Sequence, residues 1–391
     1  MNKIEQLIEH LCPDGVEFKE LGEVCEFQRG QSITQKDTIE GDVPVIAGGQ
    51  KPAYYHNSAN RNGQTIAISG SGAYAGFVSF WEIPIFLSDA FSVNPLKELL
   101  LTKYIYHFLK HNQERIHGTK KGSGVPHVHG SSIAKFLIPI PPLPIQQEIV
   151  RILDTFTALD GSLQAELEAR RKQYEHYRNQ LLNFEGKEVE WKTLGEVIIS
   201  LKTGLNPRKN FNLNTPDATN YYVTVRELNS FDVIFTDKTD RVNDTALKLI
   251  NNRSNLDKGD ILFSGTGTIG RTAYVKEKPT NWNIKEGVYV IKPNQSSIMS
   301  KFLLYLLKSE NAIQQIENKI VGSPIRSIPM GELKKIDIPI PSLEEQKRII
   351  SLIDSFEELV NNSLPAEIAA RRKQYEYYRE KLLSFEIKGN K

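Results

Sequence analysis

Gly265-Thr-Gly-Thr-Ile-Gly270 follows the strand-like run Ile261-Leu-Phe-Ser264 and has the spacing of a dinucleotide-binding turn. Such a turn needs a helix next, whose N-terminus takes up the pyrophosphate. Here Arg271-Thr-Ala-Tyr-Val-Lys-Glu-Lys-Pro279 follows, β-like and closed by proline, so the segment reads as a tight turn between strands. His107 and His111 stand four apart on a helical pattern, with His117, His127 and His129 beyond, which is a spacing that could ligate zinc. No cysteine pair supports them, so they read as surface or nucleic-acid-facing histidines. Pro13-Asp14 with Glu17 and Lys19 imitates a nuclease site, but the carboxylates are too close in sequence to flank Mg²⁺ from two strands. Neither Asn94-Pro95 nor Asn206-Pro207 continues into the Pro-aromatic loop that holds a base for methylation, and no Walker A segment occurs. The chain carries no constellation that would make it an enzyme, and no metal or cofactor site is expected in it.

The elements around these residues are duplicated. Val16-Glu-Phe-Lys-Glu-Leu-Gly-Glu-Val24 matches Val189-Glu-Trp-Lys-Thr-Leu-Gly-Glu-Val197. The Gly-rich segment 69–76 matches 264–270, Lys103–Lys110 matches Lys301–Lys308, and Gly122 matches Gly322. Residues 136–185 match 336–386, with an offset of 200 at Pro139/Pro339 and Phe156/Phe356 and of 201 at Arg170/Arg371 and Phe184/Phe385. One residue is therefore gained between those points in the second copy. Each copy reads as strand, variable stretch, Gly-rich turn, strands, short helix, Gly/Ser loop, Pro-rich hinge and long helix.

The hinge prolines cannot lie inside a helix, so a helix starts near Pro144. In the second copy Ser342 is the expected N-cap, with Glu345 completing a capping box. Apolar or aromatic residues then run Ile149, Ile152, Phe156, Leu159, Leu163, Leu167, Tyr174, Tyr177, Leu181, Phe184. The second copy has Ile349, Leu352, Phe356, Leu359, Ile368, Tyr375, Tyr378, Leu382, Phe385. This is a coiled-coil seam with a phase slip where the extra residue falls. Helices of about 40 residues, about 60 Å long, cannot bury such seams alone. An antiparallel pair acting as a rigid spacer is expected.

Length and composition agree with a globular protein of two or three domains: 391 residues, 39% hydrophobic and 25% charged. The charged, amphipathic start is no secretory signal, no window reaches the ~18 apolar residues of a membrane span, and only Cys12 and Cys25 occur. A reducing cytoplasm is the expected location. Net charge is +2, with 22 basic and 17 acidic side chains in residues 186–338 against 12 of each in residues 13–140. That is no polycationic coat, so a nucleic-acid role would draw on partners for phosphate neutralisation.

The hinges Ile138-Pro-Ile-Pro-Pro-Leu-Pro-Ile-Gln146 and Ile338-Pro-Ile-Pro-Ser-Leu-Glu-Glu-Gln346, the segments Ala169–Glu175 and Ala370–Glu376, and the paired Leu-Gly-Glu-Val strands together resemble the specificity subunit of type I restriction–modification systems. The resemblance covers nearly the whole chain, in the family's order. It implies an α+β protein: two mixed α/β target-recognition domains joined by two long antiparallel coiled-coil helices, with internal pseudo-two-fold symmetry. The expected divisions are a leader at 1–12, domains at 13–143 and 186–341, long helices at 144–185 and 342–386, and a tail at 387–391. The leader is expected to pack near the end of the second long helix. Each domain would read one half of a split, asymmetric DNA site, while the helices set the spacing and dock two modification (methyltransferase) subunits. Restriction subunits join that core. S-adenosylmethionine, ATP and Mg belong to the partner subunits, and no membrane is involved.

On this reading DNA contacts come from loops of the globular domains. Lys120, Lys121 and Arg326 are phosphate candidates, with the N–H groups at Gly122 and Gly322. Arg29, Gln31, Arg208 and Arg226 can make bidentate contacts to base edges. Ser71 and Tyr74 on the first Gly-rich turn, Thr266 and Arg271 on the second, and Lys202 complete the candidates. Arg170, Arg171, Lys172 and Arg371, Arg372, Lys373 are either a solvated helix face or docking patches, one per partner copy. The competing readings are a pseudosymmetric protein-binding scaffold without DNA specificity and a fragment of a stand-alone DNA-modifying enzyme.

Overall fold

The computed structural model describes residues 3–122, 124–207, 210–322 and 324–387. The chain divides into two compact units, Met1–Glu166 with Pro365–Lys391, and Leu167–Leu364. The division cuts through both long helices, so each unit holds one globular domain and a segment of each helix.

In the first unit, strands Cys25–Arg29, Ala90–Pro95, Thr65–Ser69 and Val78–Trp81 form an antiparallel sheet in that spatial order. Every residue of Thr65–Ser69 is buried. Ile66 and Ile68 face a core with Phe91, Val93, Tyr104 and Phe108. Ala67 meets Ile46, Leu87 and Ala90 on the other side. A smaller sheet has the order Tyr54–His56, Val43–Ile46, Phe86–Leu87. The second unit repeats the larger sheet with Ile198–Thr203, Val288–Pro293, Ile261–Ser264 and Thr272–Tyr274. Its smaller sheet is Arg241–Val242, Asn220–Val223 and Trp282–Ile284, and it adds the helix Asp244–Ser254.

The Leu-Gly-Glu-Val segments, expected as strand, are single helical turns at Leu21–Val24 and Leu194–Val197. Leu and Val of each turn are buried, which needs the side chains on one side rather than alternating. Gly22 and Gly195 donate backbone hydrogen bonds to Ala134 and Lys334. Strands flank each turn. Glu17–Glu20 pairs with the hinge strand Leu137–Ile140, and Glu190–Thr193 with Asp337–Ile340. Two-stranded ladders tolerate Pro139 and Pro339 because an edge position needs no N–H there.

The first long helix is Leu143–Leu182, 40 residues without interruption. The second is built of Leu343–Glu358, a π-helical turn Leu359–Ser363 and Leu364–Leu383, with 16, 5 and 20 residues. It is one residue longer than the first. A π turn holds one extra residue while keeping the flanking helix in phase, so the residue gained in the duplication sits there. Ser342 Oγ accepts from the Glu345 N–H at 3.2 Å. Glu345 does not reach back; its carboxylate holds Arg348 at 2.7 Å.

Within each unit the helix segments run antiparallel. In the first unit Phe156 packs on Tyr375 and Tyr378, and Asp160 pairs with Arg372. In the second, Tyr177 stacks on Phe356 and Tyr174 donates to Glu357 at 2.5 Å. The seam differs in detail from the sequence pattern. Leu153, Ile353, Val360 and Leu364 are buried, whereas Leu159, Tyr177 and Leu352 are exposed by more than a third. Near its hinge each helix faces its own globular domain as well as the other helix, so the buried stripe turns toward the domain. The leader forms the helix Lys3–Leu11. Ile4 joins the core with Leu382 and Leu383, and Val16 bridges to Ile387.

Candidate nucleic-acid interface

Each domain is latched to its long helix by the same parts. Gln146 and Gln346 are fully buried. The Gln146 carbonyl accepts from the Leu101 N–H at 2.9 Å, and its amide donates to the Leu99 and Pro141 carbonyls at 2.8 Å. Gln346 does the same with Met299, Ser297 and Pro341. A glutamine is suited to this place because one side chain offers both an acceptor and two donors. Two turns on, Asp154 accepts from Lys103 at 3.0 Å and from His107 Nε2 at 2.8 Å. Asp354 accepts from Lys301 at 2.6 Å and from the Tyr305 hydroxyl at 2.5 Å. His107 is therefore a buried structural group, not a surface or DNA-facing one. Burial holds its pKa below the ordinary imidazole value, against the pull of Asp154. Burial pushes Asp154 up, but the hydrogen bonds from His107 and Lys103 outweigh it and keep the carboxyl below its usual range.

Backbone hydrogen bonds hold the Gly-rich turn and the Gly/Ser loop of each unit against one another. In the first unit Lys121 and His127 exchange backbone hydrogen bonds of 2.9 and 2.8 Å. His127 also bridges to Ser71, and Gly72 donates to the Pro126 carbonyl. In the second unit Val321 and Ser327 exchange bonds of 2.8 and 2.9 Å, Ser327 bridges to Thr266, and Gly267 donates to the Arg326 carbonyl. Gly122 and Gly322 both have positive φ, 107° and 96°, and an added Cβ would meet the carbonyl three residues on at 2.7 and 2.5 Å. Only glycine fits this pinch. The Gly265–Gly270 segment is a turn between the antiparallel strands Ile261–Ser264 and Thr272–Tyr274, as its sequence implied.

The expected DNA contacts fall around these paired loops. Tyr74 is 49% exposed on the first turn, and Lys120 Nζ lies 3.4 Å from the Ala73 carbonyl on that turn. Lys121, Gly122 and Arg326 are exposed. Arg29 ends the strand Cys25–Arg29 and Gln31 follows it, both exposed. Ser71 is half-buried and donates to Asp89. Thr266 is half-buried, and Lys202 is exposed on its strand, with no ion pair among the described residues. Arg226 and Arg271 line one cleft. Arg226 already pairs with Asp240 at 2.9 Å, and Arg271 reaches the Val225 carbonyl at 3.4 Å. Arg208 lies outside the described residues.

Sequence reasoning missed Lys308, which lines the Arg226–Arg271 cleft and sits 4.8 Å over the Phe231 ring. Burial lowers its pKa. Its duplication as Lys110 was the available signal. It also missed Asp89, which the Ser71 hydroxyl holds beside Arg29, His127 and His129. Asp89 stands after the Gly-rich turn, directly before the strand Ala90–Pro95, at a position where the sequence comparison of the two copies found no shared motif. Among the described residues no group of three or more His, Cys, Asp or Glu side chains is disposed to hold a metal ion.

The two helix patches are unequal. Arg171 and Lys172 are exposed, with no ion pair among the described residues, and Arg170 is half-buried with a bond to Gln173 at 2.9 Å. Arg372 is committed to Asp160 through two bonds of 2.7 and 3.1 Å. Arg371 lies 3.5 Å from Glu367, and Lys373 is exposed.

Known proteins share this architecture. The crystal structure of a type I restriction–modification S subunit from M. genitalium superposes with a TM-score of 0.59 at 18% identity, covering 94% of this chain and 96% of that one. A specificity subunit of a type I restriction enzyme from Escherichia coli is 32% identical over 73% of this chain and 71% of its own length. A protein named as a type I restriction enzyme specificity subunit from Haemophilus influenzae is 30% identical over 95% of this chain and 96% of its own. The family model for the type I restriction modification DNA specificity domain matches twice, over residues 13–169 and 186–370. With both copies of that domain present, and their latches and loops repeated, the chain belongs to the type I restriction–modification specificity subunits.

Proposed function

We propose that each globular domain reads one half of a split DNA site and that the two halves differ in sequence. The observation that supports this is the repeated loop pair: the backbone bridges are the same in both units, while the side chains they present are not. Lys120 and Lys121 in the first unit and Arg326 in the second contact phosphates, with the exposed Gly122 and Gly322 segments beside them. Arg29, Gln31, Ser71 and Tyr74 face the first half-site, and Lys202, Arg226, Thr266 and Arg271 the second. Arg208 belongs to the same reading from its sequence alone.

The chain itself performs no chemistry on this reading. Two modification subunits, carrying S-adenosylmethionine, dock on the helix patches, and restriction subunits, using ATP and Mg, complete the assembly in the cytoplasm. No helix among the described residues is long and apolar enough to cross a membrane.

The test is co-expression with the modification subunit encoded beside this chain, followed by mapping of methylated adenines across the host genome. The expected result is one split motif with unlike halves, methylated on both strands. A stable complex that methylates no split motif removes the reading. Lys120→Ala is expected to weaken binding to specific and random DNA alike, because phosphate contacts carry no sequence information.

A further inference from the structure

The two units share a framework closely enough for position-by-position comparison of the clefts beside their Gly-rich turns. Arg29 pairs with Phe91 in one sheet, and Thr203 with Tyr289 in the other. Gly70 donates to the Asp89 carbonyl, and Gly265 to the Gly287 carbonyl. Ser71 bridges to His127, and Thr266 to Ser327. His129 is the N-cap of a short helical turn, and so is Pro329. Thus Arg29, Asp89, His127 and His129 stand where the second unit has Thr203, Gly287, Ser327 and Pro329.

All four side chains of the first unit are exposed and line one cleft. Among the described residues the Arg29 guanidinium has no ion pair, so its donors are open to a ligand. Asp89 is held by the Ser71 hydroxyl, which orients the carboxylate and leaves it further acceptor capacity. The His127 and His129 rings lie nearly parallel, 7° apart in plane and 6.3 Å between centroids. Among the described residues no core packing or ion pair needs these four groups, and the second unit keeps the framework without any of them. A cationic fork and a carboxylate at one recess match the groove edge of a G·C pair. Arginine donates two bonds to guanine O6 and N7, and a carboxylate accepts from the cytosine amino group.

Resting on the proposed function, we infer that the cleft of Arg29, Asp89, His127 and His129 reads a G·C pair in the first half-site. Asp89 is a specificity-determining residue and Ser71 its positioning residue. The second half-site is read by other means, through the Arg226–Arg271 cleft.

The experiment is the same co-expression and adenine mapping with Asp89→Asn, Arg29→Thr and His127→Ser, each checked for an unchanged melting temperature. Asp89→Asn and Arg29→Thr are expected to relax one G·C position of the first half-site by about tenfold or more, leaving the second half unchanged. His127→Ser is expected to weaken selection at or beside that position. An unchanged motif with folded Asp89→Asn and Arg29→Thr overturns the inference, as does equal relaxation of both halves. Were Asp89→Asn to unfold, Arg29→Thr alone decides. A wild-type chain that directs no split methylation counts against the proposed function instead, so the two failures are distinguishable.

Discussion

The two units solve one packing problem with different chemistry. Both anchor a short helix of the domain to an aspartate on the long helix, Asp154 or Asp354, through a lysine and one further donor. That donor is His107 in the first unit and Tyr305 in the second. Both lock the hinge with a buried glutamine. Where the first helix runs without interruption, the second takes up a residue in a π turn. Among the described residues the clamp Asp160–Arg372 has no counterpart there, since Val360, Asn361 and Asn362 occupy the equivalent stretch and offer Arg171 no carboxylate. Duplication fixed the geometry of the latch, and drift was allowed wherever another side chain could supply the same bond. The recognition cleft differs more, because nothing inside the fold depends on it.

Breaking the shared part should hurt both units most. Gln146→Ala strips partners from one buried N–H and two carbonyls, each costing about 1–3 kcal/mol when left unpaired. With three such groups a loss of about 5 kcal/mol is expected, and Gln346→Ala should match it. Urea unfolding of the two variants checks this. A loss below about 1 kcal/mol in either would mean that water replaces the amide without penalty. Deletions test the π turn almost as strongly. Removing Asn361 gives the second helix the length of the first without changing phase, and stability should stay within about 1 kcal/mol. Removing Ala165 from the uninterrupted helix rotates every later residue by about 100°. It should lose about 4 kcal/mol, the burial of two leucine-sized side chains. Equal effects of the two deletions would show that the π turn does not store the extra residue.

Much of this was legible before any fold was known, for physical reasons. The hinge prolines exclude helix and so announce where the long helices begin. The offset change from 200 to 201 located the extra residue to a stretch that the π turn then occupies. The Gly122 and Gly322 loops were found because the glycine is duplicated before each hinge, and the structure supplies the reason: positive φ and a close carbonyl demand it. Four things were hidden. The Leu-Gly-Glu-Val turn carries strand-like residues, and only burial of Leu21 with Val24 decides its form. The seam spacing assumed a helix facing one other helix, whereas Ile145, Ile149 and Leu153 also face the domain. His107 looked available because its partner, Asp154, lies 47 residues away. The cleft with Asp89 was invisible because recognition side chains obey no internal repeat.

The latch difference predicts unequal responses to acid. His107 is held neutral by burial, with Lys103, Asp154, Tyr106 and Arg379 around it. Its native pKa is below the unfolded value near ~6.5, so the unfolded chain binds the extra proton first. Stability from this group is complete above that value and is lost as pH falls toward the lowered native one. Asp154, also lowered, loses its contribution only at pH values through the carboxylate range. Tyr305 stays protonated throughout, its pKa raised by burial and by Asp354. His107→Tyr should therefore flatten the fall in melting temperature between pH 7.5 and 5.5. An unchanged slope would assign the acid sensitivity elsewhere.

The smallest effect separates folding from docking. Arg372 and Asp160 are joined by two hydrogen bonds but remain partly exposed, at 54% and 34% of their side-chain surfaces. Exposed pairs of this kind contribute about 0–1 kcal/mol. Arg372→Ala should lower stability by no more than that. Arg171→Ala, at the equivalent place in the second unit, breaks no ion pair and should leave unfolding unchanged. If the helix patches bind the modification subunits, Arg171→Ala should still weaken the complex severalfold by titration, and more so at low salt because exposed charges are screened. Arg372 offers less to a partner, since its guanidinium fork is already filled by Asp160. A larger loss of binding from Arg372→Ala than from Arg171→Ala would show that the clamp itself, rather than the free cation, is what a partner meets.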